Sequence, residues 1–135
     1  MYLDRRVIYM IKGLESVLLF TEDAKKLAKF YKEKVGLKIT FEAMMDEKDD
    51  MYEFKMKSGS PLYVINHSKV KGKNQKPERM MINLEVDDIE KEVNRLNKAK
   101  VKKIQDIYHV ENYGYIATFE DIDGNYFQLV QIRAS

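Results

Sequence analysis

Apolar and polar positions alternate along Tyr115–Ile132, and the alternation breaks once, at Asp123-Gly124-Asn125. Period-two patterning on both flanks predicts two strands, and Gly124 supplies the positive φ that a tight reversal between them needs. Along the second strand Phe127, Leu129 and Gln131 fall on one face, and Tyr126, Gln128 and Val130 on the other. A strand that is apolar on nearly both faces, with one neutral amide in the middle, is covered on both sides. It predicts a packed core beneath Phe127 and Leu129 and a partly enclosed cavity above Gln128.

The rest of the chain switches between the two periods. Leu14–Thr21 alternates as a strand, and the acidic Glu22-Asp23 suits the positive end of a helix dipole. Leu27, Phe30, Tyr31 and Val35 then recur at helical spacing, with Gly36 as the stop. Leu37–Ala43 reads as a strand, and Met44–Asp50 as an acidic loop. Met51–Lys57 alternates with Tyr52, Phe54 and Met56 on one side; Ser58-Gly59-Ser60-Pro61 turns the chain, and Leu62–Ile65 is a fourth strand. The order then restarts. Met81–Val86 is a strand, Asp87-Asp88 a helix start, and Ile89, Val93, Leu96 and Ala99 are helically spaced before the closing hairpin.

One constant offset of 65 positions relates the two halves. It carries Ser16 to Met81, Glu22-Asp23 to Asp87-Asp88, Phe54 to Phe119, Gly59 to Gly124 and Tyr63 to Gln128. A shift that aligns both the opening strand and the closing hairpin marks a duplicated unit. The expected organisation is a single domain over 1–135. It is built from a βαβββ module at 12–67 and a second at 80–132, joined by a basic linker at 68–79.

Composition narrows the chemistry. The chain has 135 residues, 44% of them hydrophobic and 34% charged, enough for one domain with a sizeable core and a heavily solvated surface. Its 24 basic residues nearly balance 22 acidic ones, a net charge of +2, which gives no argument for nucleic acid. The basic run His67–Arg79 contains Gly and Pro without aromatic interleaving and reads as a solvated linker. There is no cysteine, so disulfides, zinc–thiolate sites and a cysteine nucleophile are excluded. No apolar run approaches the roughly 18 residues of a membrane span. Met1–Met10 carries Arg5-Arg6 but leads into Lys12 and Glu15 rather than a signal-peptide apolar region, and Met10 serves equally well as a start. The expectation is a cytoplasmic protein with neither a nucleic-acid nor a membrane partner.

Three segments resemble the vicinal oxygen chelate superfamily, which includes glyoxalase I, bleomycin and fosfomycin resistance proteins, epimerases and extradiol dioxygenases. They are Glu15–Asp23 running into Phe30–Leu37, then Met81–Asp88, then Phe119-Glu-Asp-Ile-Asp-Gly-Asn125 with Phe127–Val130. Ile122 stands where that family usually has proline. The likeness runs from about Lys12 to Ile132. It implies an α+β fold in which two tandem βαβββ modules form a curved mixed sheet around a cavity, in a homodimer. In catalytic members of the family a divalent ion sits in that cavity, held from the first, fourth, fifth and eighth strands. By this resemblance the four ligand positions fall on Ser16, Tyr63, Met81 and Gln128. A neutral hydroxyl, a phenol, a soft thioether and an uncharged amide are not a competent donor set for a hard or borderline dication. No metal and no cofactor is therefore expected.

Other candidate chemistry is sparse. Glu85 shares a face with Met81 and Asn83, and reads either as a desolvated general base or as a salt-bridged residue at a sheet edge. His67 follows the fourth strand on the face of Tyr63 and Ile65, either as a base at the cavity rim or simply solvated. His109 lies in Asp106–Tyr115, the segment that covers the cavity mouth in the resembled family. Asp121-x-Asp123-x-Asn125 mimics the start of a calcium loop, but its twelfth position is Ile132, so that reading is rejected. Alternation brings Ser16, Leu18, Phe20, Tyr63, Ile65, Met81, Asn83, Tyr126, Gln128 and Val130 to the cavity side. That lining is apolar and aromatic with a few neutral hydrogen-bonding groups, suited to a small aromatic or amphipathic organic molecule. The leading expectation is a metal-free protein that sequesters such a ligand. The alternative is a glyoxalase-like lyase or isomerase using a non-standard metal site or a Glu or His base.

Overall fold

In the computed structural model, which describes residues 10–44 and 50–132, each alternating segment contains a strand whose ends are set by the residues that find a partner, so that Met44, Asp50 and Asn66 join the strands beside them. Positions 1–9, and 45–49 of the expected acidic loop, lie outside the described residues. The strands are β1 Val17–Thr21, β2 Phe41–Met44, β3 Asp50–Phe54, β4 Leu62–Asn66, β5 Ile82–Glu85, β6 Lys102–Val110, β7 Gly114–Glu120 and β8 Tyr126–Ile132. β1 starts at Val17 and not at Leu14 because its one neighbour, β4, begins opposite it, at Leu62. β3 likewise stops at Phe54, the residue opposite Leu62.

Two four-stranded mixed sheets result, ordered β1-β4-β3-β2 and β5-β8-β7-β6. In each, one pair is parallel and the others are antiparallel. The registers agree between the sheets: Leu18 lies beside Tyr63, and its counterpart Asn83 beside Gln128.

The two helices begin in the same way. In α1, Ala24–Phe30, the Asp23 carboxylate accepts from the Lys26 amide; in α2, Ile89–Lys98, Asp88 accepts from Lys91. These caps satisfy amides that have no partner within the helix. A second device repeats as well. The Asn66 side-chain oxygen accepts from the Ala24 amide at 2.6 Å, and the Gln131 oxygen from the Ile89 amide at 2.8 Å. Each helix start is thus tied to the last strand of its own sheet. α1 runs on into a widened turn, Tyr31–Val35, ended by Gly36 at φ 95°.

Leu27, Phe54, Leu96, Phe119 and Phe127 are fully buried between the helices and the inner sheet faces. Phe127 is the meeting point of the aromatic core, with ring centroids 6.4 Å from Phe30, 5.8 Å from Tyr31 and 5.9 Å from Phe119. Deletion of a large buried side chain here removes both its transfer free energy and its contacts.

A single buried carboxylate joins the halves. Asp121 accepts from the Tyr31 hydroxyl at 2.5 Å, from the amides of Asp123 at 2.8 Å and Asn125 at 3.0 Å, and from the Asn125 side chain at 3.1 Å. Burial pushes the Asp121 carboxyl above its ordinary range despite these donors. Burial first, and then the neighbouring Asp121, push the Tyr31 hydroxyl well above its own, so the phenolic proton stays on Tyr31. Alongside, the Thr21 hydroxyl donates to Asp123 at 2.5 Å. Gly124, at φ 79°, is required by its dihedral, with the Asn74 backbone in van der Waals contact beside it.

Tyr31→Phe removes one donor from a buried carboxylate and creates little cavity. It should cost about 1–3 kcal/mol of stability by denaturant titration. A loss within error of zero would show that the Tyr31–Asp121 bond does not hold the halves together.

Candidate functional site

Residues paired across neighbouring strands point to the same side of a sheet, so the registers define rows across each outer face. On the first sheet one row reads Leu18, Tyr63, Glu53, Phe41. Leu18 and Phe41 are 48% and 53% exposed, so this face is open, while Val64 and Phe54 beside them point into the core. The equivalent row on the second sheet reads Asn83, Gln128, Thr118, Gln105. One row is apolar and aromatic around a carboxylate; the other is made wholly of neutral hydrogen-bonding groups.

Both rows are internally wired at the same place. The Tyr63 hydroxyl donates to Glu53 at 2.5 Å, and the Gln128 amide donates to the Thr118 hydroxyl at 2.9 Å. Glu53 is only 8% exposed and also accepts from the Thr40 hydroxyl at 3.0 Å. The Tyr63 bond, together with the Thr40 bond, holds the Glu53 carboxyl below the usual carboxylate range against the effect of burial. The same bond pushes the Tyr63 hydroxyl up. Around neutral pH the pair is therefore a carboxylate and a phenol, with no proton poised for exchange.

At the positions where the family would place metal ligands, Ser16 is half-buried just before β1 and Met81 is exposed just before β5. Tyr63 and Gln128 are engaged by their neighbours as described. Among the described residues no group of three or more His, Cys, Asp or Glu side chains is arranged to hold a metal ion. The donor set present does not fit a divalent cation.

Of the expected lining residues, Leu18, Phe20, Tyr63 and Ile65 share the open face of the first sheet, and Asn83, Tyr126, Gln128 and Val130 that of the second. Val130 is buried there. β1 and β5 are both edge strands. Between them runs a groove of about 1160 Å³ that takes in Met81 and Asn83 from the expected lining, with Leu14, Val17, Met56 and Leu84 among its walls. Phe20 turns instead toward a pocket of about 240 Å³ beneath the linker segment Val70–Asn74.

The expected bases are dispersed. Glu85, read from its face as a candidate buried carboxylate, is exposed, because β5 pairs on one side only. His67 is exposed, its ring edge-on to Phe20 at 5.2 Å and its Nδ1 accepting from the Lys69 amide. His109 is exposed beside Tyr115, ring centroids 4.9 Å apart. The buried carboxylate of the open face is Glu53, which the sequence reading passed over. Two signals pointed to it: alternation sets it opposite Tyr52 and Phe54, and the 65-residue offset pairs it with Thr118.

Because Glu53 titrates lower in the folded chain than in the unfolded one, the stability it contributes is present above the ordinary Glu range and lost as pH falls through the folded value. Tyr63→Phe removes the main cause. The Glu53 titration, followed by carboxylate NMR, should move upward and the acid limb of stability should flatten. An unmoved titration would assign the shift to another group.

A family model described as the Glyoxalase/Bleomycin resistance protein/Dioxygenase superfamily matches residues 13–129. Comparison with curated proteins gives no match. Among solved structures, the chain is similar to TnmS3, an antibiotic binding protein from Streptomyces sp. CB03234, with 19% identity, 93% of this chain and 100% of that chain covered, and a TM-score of 0.71. It is similar to the fosfomycin resistance protein FosX from Listeria monocytogenes, with 16% identity, coverage of 90% and 92%, and a TM-score of 0.66. It is also similar to the trypanothione-dependent glyoxalase I of Leishmania major, with 20% identity, coverage of 89% and 86%, and a TM-score of 0.70. At these identities the likeness is one of fold. The family match spans the chain from just before β1 into β8, and on that ground the chain belongs to the Glyoxalase/Bleomycin resistance protein/Dioxygenase superfamily.

Proposed function

We propose that this chain is a metal-free small-molecule-binding member of its family that sequesters a small aromatic or amphipathic compound. The observation that carries the reading is the pairing of Tyr63 with Glu53 and of Gln128 with Thr118. Side chains at ligand positions that are satisfied within their own sheet are a wall for a bound molecule, not a socket for an ion. The proposed contact residues are Ser16, Leu18, Phe20, Tyr63, Ile65, Met81, Asn83, Tyr126 and Gln128, with Met81 and Asn83 in the groove and Phe20 at the smaller pocket. Exposed apolar groups on an open sheet face favour a ligand with an apolar surface to bury, and Met81 adapts to its shape.

The fold likeness to TnmS3, an antibiotic binding protein, supports this role. FosX and glyoxalase I have the same fold, and the competing reading is a glyoxalase-like lyase or isomerase. That reading needs either a Lewis acid or a base. The donor set is poor for the first, and Glu53, held below the usual carboxylate range, is a poor proton acceptor near neutral pH. The protein is proposed to act as a cytoplasmic homodimer; among the described residues no helix is long and apolar enough to cross a membrane.

Equilibrium dialysis against a panel of aromatic and amphipathic compounds should find saturable binding, and a panel with none would remove the proposal. Loading with nickel, zinc or manganese followed by elemental analysis should leave substoichiometric metal. Near-stoichiometric retention would move the assignment to the enzyme. In sedimentation velocity the chain should run as a dimer, and a monomer at all concentrations would discard the homodimer.

A further inference from the structure

We infer that the compound this chain takes is an organic cation, with Glu53 as its fixed counter-charge on the open face of the first sheet. The inference rests on the binding role proposed above and names its ligand class.

Glu53 sits in the row Leu18, Tyr63, Glu53, Phe41, with Met51 next to it on the same strand face. It is more than nine-tenths buried among apolar and aromatic groups. An ionised carboxylate in such a place is costly unless it is compensated. The compensation present is two neutral hydroxyls, Tyr63 and Thr40. Among the described residues no Lys, Arg or His forms an ion pair with it; Lys55, exposed just past the end of β3, lowers its pKa only through space.

Among the described residues the charge is therefore kept and meets no ion-pair partner. A carboxylate has about four acceptor sites, and the two hydroxyls leave capacity for the N–H groups of a ligand. Tyr63 and Phe41 stand on either side of Glu53 in the row, and aromatic rings attract cations in their own right. An anionic ligand would be repelled by the carboxylate. Glu53 is a specificity determinant, not a base, because the Tyr63 bond leaves it without a tendency to take up a proton.

The test uses one ring with three charges: tryptamine (cation), 3-methylindole (neutral) and indole-3-propionate (anion). The chain contains no tryptophan, so indole fluorescence excited at the red edge reports the probe alone. Wild-type protein should bind tryptamine on the order of tenfold more tightly than 3-methylindole, a preference of about one pK-sized step in free energy, with indole-3-propionate weakest. In Glu53→Gln, which keeps the side chain's size and one acceptor oxygen while an amide N–H donor replaces the other, the cation-to-neutral ratio should collapse to near unity. Equal affinities in wild type, a preference for the anion, or a ratio that survives Glu53→Gln would overturn the inference and leave the binding role standing. Failure of all three probes to bind would count against the binding role and take the inference with it.

Discussion

One buried carboxylate holds the two halves of this molecule in register. Asp121 gathers its own turn through two backbone amides and the Asn125 side chain, then reaches across to the hydroxyl of Tyr31 on the other half. Removal of a carboxylate from water is unfavourable, and it is tolerated here because four donors converge on the group. The same turn anchors β1 through Thr21 and accepts the linker through the Asn74 amide at 2.8 Å from the Asp123 carbonyl. Helix, strand, linker and hairpin therefore meet over a few residues.

The duplication makes the asymmetry of this junction informative. By the 65-residue offset the first-half counterparts of Asp121 and Asp123 are Met56 and Ser58, and the second-half counterpart of Thr21 is Val86. None of these can reproduce the polar tie, and all three line the groove beside β5. Where the second hairpin is drawn onto the first half by hydrogen bonds, the first hairpin stands off from the second half. Some closure at that side comes from Arg95, whose guanidinium donates to the carbonyls of Lys34 and Val35 at 3.0 and 2.6 Å. The two seams of the repeated fold therefore differ, one tied through Asp121 and Asp123 and the other bordered by the groove.

The open sheet faces follow the same logic. At each ligand position the family fold would offer a coordinating side chain to an ion. Here the groups on β4 and β8 donate instead to neighbours on β3 and β7. The two rows have diverged, one toward aromatic groups around a charge and the other toward an amide and hydroxyl ladder. A molecule with an apolar body and a polar or charged end matches such surfaces; a small hard ion does not.

Much of this was legible in the sequence. Alternation located the strands, helical spacing the two helices, and Asp23, Asp88 and Gly36 their ends, because these depend on local backbone chemistry that reads the same in any context. The constant offset located the duplication, which the matching strand orders of the two sheets repeat. Burial was another matter. Glu85 and Glu53 both alternate onto an outer face, yet one is exposed on an edge strand and the other is enclosed by Tyr63 and Thr40. Asp121, in a segment whose calcium-loop reading the sequence already rules out, is the partner of a tyrosine 90 residues away. Periodicity assigns a side chain to a face, but the number of neighbouring strands and the arrival of a distant hydroxyl decide its solvation and its charge. That part belongs to the tertiary structure.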